Sequence, residues 1–260
     1  MLRRIINRPF SSLSKLQTLI SVKSWEELKD FTNENTQLIR DFASGTPFTA
    51  SSGITFSKIA RHEQDEAFEV LSNIIPAREP MAAKLHMTKA EFKQNTCLNL
   101  LVNSKYEDLT IVAKDKNKII GVFTCIDWAN QKKKHPKTEE EIAFWKNKLE
   151  PIALFLHNTN RVGPKSGRIA HGITSGIEEN YLNQGIAKSA LALRLAMTRV
   201  LGYDFFIVEC GFGSSNAFMV YNKLLQFGSE MRYEDFEHND QNPFENLEGG
   251  YLFMYRELQK

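Results

Sequence analysis

Between positions 168 and 202 the sequence changes its apolar period once, and that change constrains the fold more than any other feature of the chain. Residues 168–177 (Arg-Ile-Ala-His-Gly-Ile-Thr-Ser-Gly-Ile) read as a strand with apolar residues at 169, 173 and 177. Ile186, Ala190, Leu193, Ala196, Met197 and Val200 then recur at three- and four-residue steps, as in an amphipathic helix stopped by Gly202. The connection is Tyr181-Leu182-Asn183-Gln184-Gly185-Ile186-Ala187-Lys188. The first turn of such a helix has free N–H groups and the positive end of the peptide dipole, and Gly185 and Ala187 leave room for an anion such as a pyrophosphate. A plain tight connection, with small residues chosen for packing, fits the same spacing.

With 260 residues, 42% of them hydrophobic, the chain can bury one sizeable core and carry appendages. It contains no run of eighteen apolar residues, so no membrane span is expected. Cys97, Cys125 and Cys210 are far apart and odd in number, which argues against a disulfide framework or zinc cluster and for three buried small hydrophobes. The net charge of +2 hides an asymmetry. Residues 1–25 hold Arg3, Arg4, Arg8, Lys15 and Lys23 and no acid, interleaved with leucine, isoleucine and serine. That mixture is the composition of a mitochondrial transit peptide over 1–23, with an exposed basic tail or a membrane-surface helix as alternatives. Arg8-Pro9-Phe10-Ser11 resembles a matrix-peptidase site. A nucleic-acid partner is not expected.

Beyond that leader, Ser24 caps a helix expected to run to about Phe42, with Glu27 completing the cap. Residues 43–53, rich in serine, threonine and glycine, read as a linker, so 24–52 form an arm and 53–260 the main domain. In order the domain gives a strand around Ile54, Phe56 and Ile59, a helix over 63–75, a turn bracketed by Pro76 and Pro80, and a helix over 89–101. Strands at 109–113 and 118–128 follow, joined by the charged turn Lys114-Asp115-Lys116-Asn117. An insertion over about 131–163 carries Lys132-Lys133-Lys134 and a helix over 139–158 too apolar to be a solvated linker. After the strand, loop and helix around Gly185 come a strand over 204–210, a helix over 214–225 and a strand over 250–256. The sum is a mixed α/β sheet.

Tyr-x-x-Gln-Gly-Ile-Ala-Lys after a strand resembles the acetyl-CoA loop of the GCN5-related N-acetyltransferases, written Arg/Gln-x-x-Gly-x-Gly/Ala. Gly185 and Ala187 fill the two small positions, while Leu182 stands at the first and Asn183 where glycine is common. Ile-Pro-Ala-Arg-Glu-Pro-Met at 75–81 resembles the Asp/Glu-Glu-Pro-Leu segment of the arylalkylamine branch, and residues 214–227 resemble the Asn-x-x-Ala-x-x-Leu-Tyr-x-Lys-Leu-Gly-Phe helix of the family as a whole. The resemblance covers about 53–260. It implies a twisted, mixed and mostly antiparallel sheet flanked by helices, here with a helical insertion that walls the amine site and an N-terminal helical extension.

The resemblance also implies roles. Acetyl-CoA would be the cosubstrate, bound by Ile177, Asn183, Gln184, Gly185, Ile186, Ala187 and Lys188 and, more weakly, by Ser214. A small primary amine must lose a proton before it attacks, and Glu79 maps to the base. Tyr221 maps to the acid that protonates the departing thiolate, and the N–H of Ile177 to the group facing the thioester carbonyl. Read alone, Glu79 is equally a turn carboxylate paired with Arg78, Tyr221 a core aromatic, and His171 a structural histidine or an alternative base. Two functions remain open: direct acetyl transfer in a ternary complex, or a degenerate acetyltransferase fold serving as a subunit of a mitochondrial assembly.

Overall fold

Strand periodicity divides the core into two layers around one sheet. The computed structural model describes residues 18–19, 21–97, 109–130, 138–212 and 221–260. Among these lie strands β1 (Phe48–Thr49), β2 (Thr55–Lys58), β3 (Ile111–Asp115), β4 (Lys118–Asp127), β5 (Ile169–Ile177), β6 (Phe205–Phe212), β7 (Gln226–Arg232) and β8 (Gly250–Glu257). They form a single sheet in the order β1-β2-β3-β4-β5-β6-β8-β7. Every neighbouring pair is antiparallel except β5 and β6. Within β3 and β4, Ile111, Ala113, Ile120 and Phe123 enter one core cluster, while Val112, Ile119 and Val122 enter another. That is the alternation a pleated strand imposes.

Helices α1 (Trp25–Glu34) and α2 (Thr36–Ala43) share the first cluster with a long later helix, α8 (Ile186–Val200). On the other face lie α3 (Gln64–Arg78), α4 (Pro80–Lys84), α5 (Lys89–Phe92), α6 (Glu139–Phe144) and α7 (Glu150–Thr159). The β3–β4 turn is the expected one, with Lys116 at φ 48° and Asn117 at φ 73°, the left-handed pair that suits a twisted hairpin. No helix of the described residues is long and apolar enough to cross a membrane.

The structure differs from the sequence reading in several places. The arm is two helices: Asn35 leaves helical geometry at φ −122°, ψ 31°, and its side chain donates to the Phe31 carbonyl. The expected linker carries β1, and Phe48 and Ala50 are buried with Leu28, Ile39 and Phe42, so arm and sheet share one core. The cause is visible on α8, where Ala192 and Leu195, off the expected stripe, are buried as well. An apolar helix of that breadth needs cover on its outer side, and α1 and α2 supply it. Leu19 and Val22, expected in the leader, belong to the same cluster; residues 1–17 and 20 lie outside the described residues.

Pro76 lies inside α3 rather than ending it. The helix runs on until Glu79 turns to ψ 117°, the extended geometry required before Pro80. The second helix is short: α5 passes at once into a π-type turn over Lys93–Cys97, and 98–101 lie outside the described residues. The insertion helix runs from α6 through a π-type turn, Trp145–Leu149, into α7; Lys132-Lys133-Lys134 lie outside the described residues. Strand β7 was not expected, because its mostly exposed Gln-Phe-Gly-Ser-Glu has no apolar alternation to announce it.

Candidate active site

The loop after β5 is held at both ends and open in the middle. Tyr181 donates to Asp115 at 2.8 Å, Lys118 pairs with Glu178 at 2.8 Å, and Arg78 reaches Glu179 at 3.3 Å. Arg78 is thus engaged away from Glu79, against the alternative in which the two form a turn pair. Asn183 (φ 62°) and Gly185 (φ 76°) take left-handed geometry, and Gly185 is the N-cap of α8 with no side chain capping the first turn. Leu182, Asn183, Gln184 and Gly185 are exposed, Ala187 and Lys188 half-buried and Ile186 buried. No atom lies within 4 Å of the place where a Cβ on Gly185 would sit. The first turn thus presents unclaimed N–H donors to open space, with no acid in it.

A wedge opens beside this loop. β5 and β6 pair from Ile169 and Phe205 only as far as Gly172 and Val208, although both strands continue. The register with β4 steps from Phe123–Ser175 to Cys125–Gly172, so β5 holds one extra residue there. The Thr124 hydroxyl fixes this bulge, accepting from the Thr174 N–H and donating to the Thr174 carbonyl, each at 2.9 Å. One consequence is that Gly172 faces Arg194 of α8 whereas Gly176 faces Leu71 and Ile74 of α3. Further along, the Glu178 N–H bonds the Ile120 carbonyl, which directs the Ile177 N–H and carbonyl away from β4 and into the wedge. Arg78 donates to that Ile177 carbonyl at 3.2 Å.

Glu79 approaches the wedge from the α3 face. As N-cap of α4, its carboxylate accepts from the N–H groups of Met81 at 3.2 Å and Ala82 at 2.6 Å. The Tyr251 hydroxyl donates to the same carboxylate at 2.8 Å. Burial raises the pKa of this carboxyl above the ordinary range, outweighing the three hydrogen bonds that lower it. The Tyr251 ring lies against Gly211 of β6, in the part of that strand that has left β5, so Glu79 is linked to the open strand through this residue of β8. Around it α7 contributes Phe155, whose ring centroid is 5.2 Å from Tyr233 and 6.0 Å from Tyr251, with Phe236 and Phe244 behind. The insertion helix thus adds Phe155 to an aromatic wall behind Tyr251, the partner of the carboxylate.

Tyr221 comes from the opposite face, buried in the cluster that contains α8. Its hydroxyl has Arg194 and Ser175 as polar neighbours, and burial pushes its pKa up against the pull of Arg194. Nearby Cys210 is pushed up to about 12 by burial, so it stays a neutral thiol and makes a poor nucleophile. His171 lies on the Glu79 face, 2.7 Å from Glu209, with Trp128 packed against it at 4.9 Å. Ser214 lies outside the described residues. Among the described residues there is no group of three or more histidine, cysteine or acidic side chains able to hold a metal ion.

No protein-family model matches the chain, and no curated protein matches it in sequence. Solved structures do match. A candidate arylalkylamine N-acetyltransferase 7 of the yellow fever mosquito superposes with a TM-score of 0.64 at 13% identity, over 83% of this chain and 94% of its own. Arylalkylamine N-acetyltransferase 2 of Aedes aegypti gives 0.62 at 15% identity, over 79% and 99%. The polyamine N-acetyltransferase of Drosophila melanogaster, which forms N-acetylagmatine, gives 0.60 at 15% identity, over 79% and 100%. This is the GCN5-related N-acetyltransferase fold.

Within the acetyltransferase fold, the structure places Ile177 on the part of β5 that has left β6, the 183–188 loop just after it, Tyr221 beside Ser175 of the same strand, and Glu79 within reach of β6 through Tyr251. It also shows three residues that sequence reading passed over. Ser175 and Tyr251 carry no local signal. Arg194 carries one: it falls on the apolar stripe of α8, between Ala190 and Met197, where a charge is out of place.

Proposed function

We propose that this protein is an acetyl-CoA-dependent N-acetyltransferase that passes an acetyl group to a small primary amine by direct attack in a ternary complex. The observation that carries the reading is the wedge between β5 and β6, flanked by an uncapped helix N-terminus and by a buried carboxylate. The loop residues fit the cosubstrate: Gly185 leaves open space where a side chain would stand, and the donors of α8 await an anion. Acetyl-CoA supplies an activated acyl carbon. Glu79 takes a proton from the ammonium, for which a raised pKa suits it, because a base titrating nearer neutral pH transfers protons more effectively. The Ile177 N–H polarises the thioester carbonyl, and Tyr221 protonates the sulfur as it leaves. The neutral Cys210 thiol speaks against an acyl-enzyme route. The aromatic wall suits an amine with an apolar body.

Calorimetry with acetyl-CoA, followed by amine-dependent release of free thiol, tests this directly. Turnover that is the same in Glu79→Gln removes the base assignment; no binding at all removes the enzyme. The composition of residues 1–23 supports import into mitochondria, and a fluorescent fusion of those residues that stays in the cytosol would reject it. A second reading, a non-catalytic subunit of a mitochondrial assembly, draws on exposed Ile142, Trp145 and Leu154 along the insertion helix and on Leu182 in place of a loop cation. A stable large complex that acetyl-CoA does not protect against heat would favour it.

A further inference from the structure

We infer that Arg194 is a positioning residue for the proposed transfer: its buried cation holds the Tyr221 hydroxyl at the wedge and offsets the charge that hydroxyl gains when its proton goes to sulfur. This rests on the acetyltransferase reading and adds a residue to it. Arg194 has no solvent exposure, and among the described residues its guanidinium donates to a backbone carbonyl and to no carboxylate. Its guanidinium carbon lies 5.8 Å from the Phe123 ring and 5.5 Å from the Phe206 ring, and Nη1 is 3.5 Å from the Thr124 carbonyl. Nε and Nη2 have no acceptor among the described residues. Among the described residues Arg194 is thus a buried cation without a counter-charge, among the costliest arrangements a core can hold, and a charge that arrives during the reaction would offset that cost.

The vertex of the wedge is shaped to admit it. A Cβ on Gly172, the last β5 residue paired with β6, would sit 3.1 Å from Arg194 Nη1 and 3.2 Å from Phe206 Cζ. The groups facing the Tyr221 hydroxyl are Arg194 from α8, Ser175 from β5 and the neutral thiol of Cys210 from β6. Those facing Arg194 are the Thr124 carbonyl and Phe123 from β4, Gly172 from β5, Phe206 from β6 and Tyr221. None of them carries a negative charge at rest. In the transfer the C–N bond forms as the C–S bond breaks, sulfur keeps the bonding pair, and Tyr221 Oη–H protonates it. Of the two protons the ammonium loses, one restores the Tyr221 hydroxyl and the other leaves to water through Glu79. Among the described residues, the one anion that arises beside Arg194 is the phenolate, present between those events.

The test is the alkaline limb of kcat, measured with saturating acetyl-CoA and amine for the wild type, Arg194→Gln and Arg194→Lys, each first checked for a cooperative melt. A general acid works only while protonated, so kcat falls as pH rises through its pKa. Loss of the cation makes the phenol a weaker acid. In Arg194→Gln the limb should move to higher pH while the plateau drops about ten- to a hundredfold. Lysine, with a shorter reach and no fork, should hold both partway. A merely structural arginine lowers the melting temperature and leaves the limb where it was. An active wild type whose limb is unmoved in whichever variant folds overturns the inference alone; a wild type that acetylates no amine removes the underlying reading and this inference with it.

Discussion

At Glu79 burial and hydrogen bonding pull the carboxyl in opposite directions, and burial wins, so the group titrates above the ordinary carboxylate range. A base works only when deprotonated, so kcat should fall as pH drops through that raised pKa. Tyr251→Phe removes a hydrogen bond that favours the carboxylate. The acidic limb of the kcat profile should therefore move to still higher pH, while acetyl-CoA affinity stays as it was. Glu79→Gln should cost about 10²–10⁴ in kcat, the usual worth of a positioned acid or base, with binding of acetyl-CoA retained in calorimetry. If that variant turns over normally, the His171–Glu209 pair on the same face is the next place to look. Although its place ending one helix and capping the next was not expected, Glu79 was singled out by the resemblance of 75–81 to the Asp/Glu-Glu-Pro-Leu segment. Tyr251 was not, since nothing local distinguishes it from the other aromatics of β8 and its partner is 172 residues away.

Elements were legible in proportion to how local their causes are. The β3–β4 hairpin and α8 follow from turn chemistry and period, and both stand where they were expected. The bulge in β5 could not be read, because it depends on a hydroxyl 50 residues away. Strand β7 depends equally on its partner: β8 reaches it through Gly250, where a methyl group would overlap the Met231 carbonyl. Since the obstacle is backbone, Gly250→Ala should destabilise by about 2–3 kcal/mol and lower Tm by about 5–10 °C in a thermal melt. At the other functional end, Gly185→Ala meets no neighbouring atom and is strained only by its left-handed φ. A cost of about 1 kcal/mol is expected, together with weaker acetyl-CoA binding as the loop shifts to relieve that strain; unchanged affinity would mean that the cap geometry is not needed for the anion.

For the molecule as a whole, the arm is part of the core, which the sequence could not reveal because the breadth of α8 becomes a requirement only once the helix is seated on the sheet. A chain shortened at its N-terminus tests this. One starting at residue 24 loses Leu19 and Val22, two buried side chains worth about 1.5–3 kcal/mol each, and should melt measurably lower. Acetyl-CoA at a hundred times its Kd should add about 2.7 kcal/mol to the stability of the folded protein, readable as a rise in Tm. Glu79 with its aromatic wall and Tyr221 with Arg194 occupy separate clusters on the two sides of one sheet. On the proposed reading, substitutions in the aromatic wall should alter which amine is accepted before they alter acetyl-CoA affinity, because the two clusters meet only at the wedge, where β5 and β6 part.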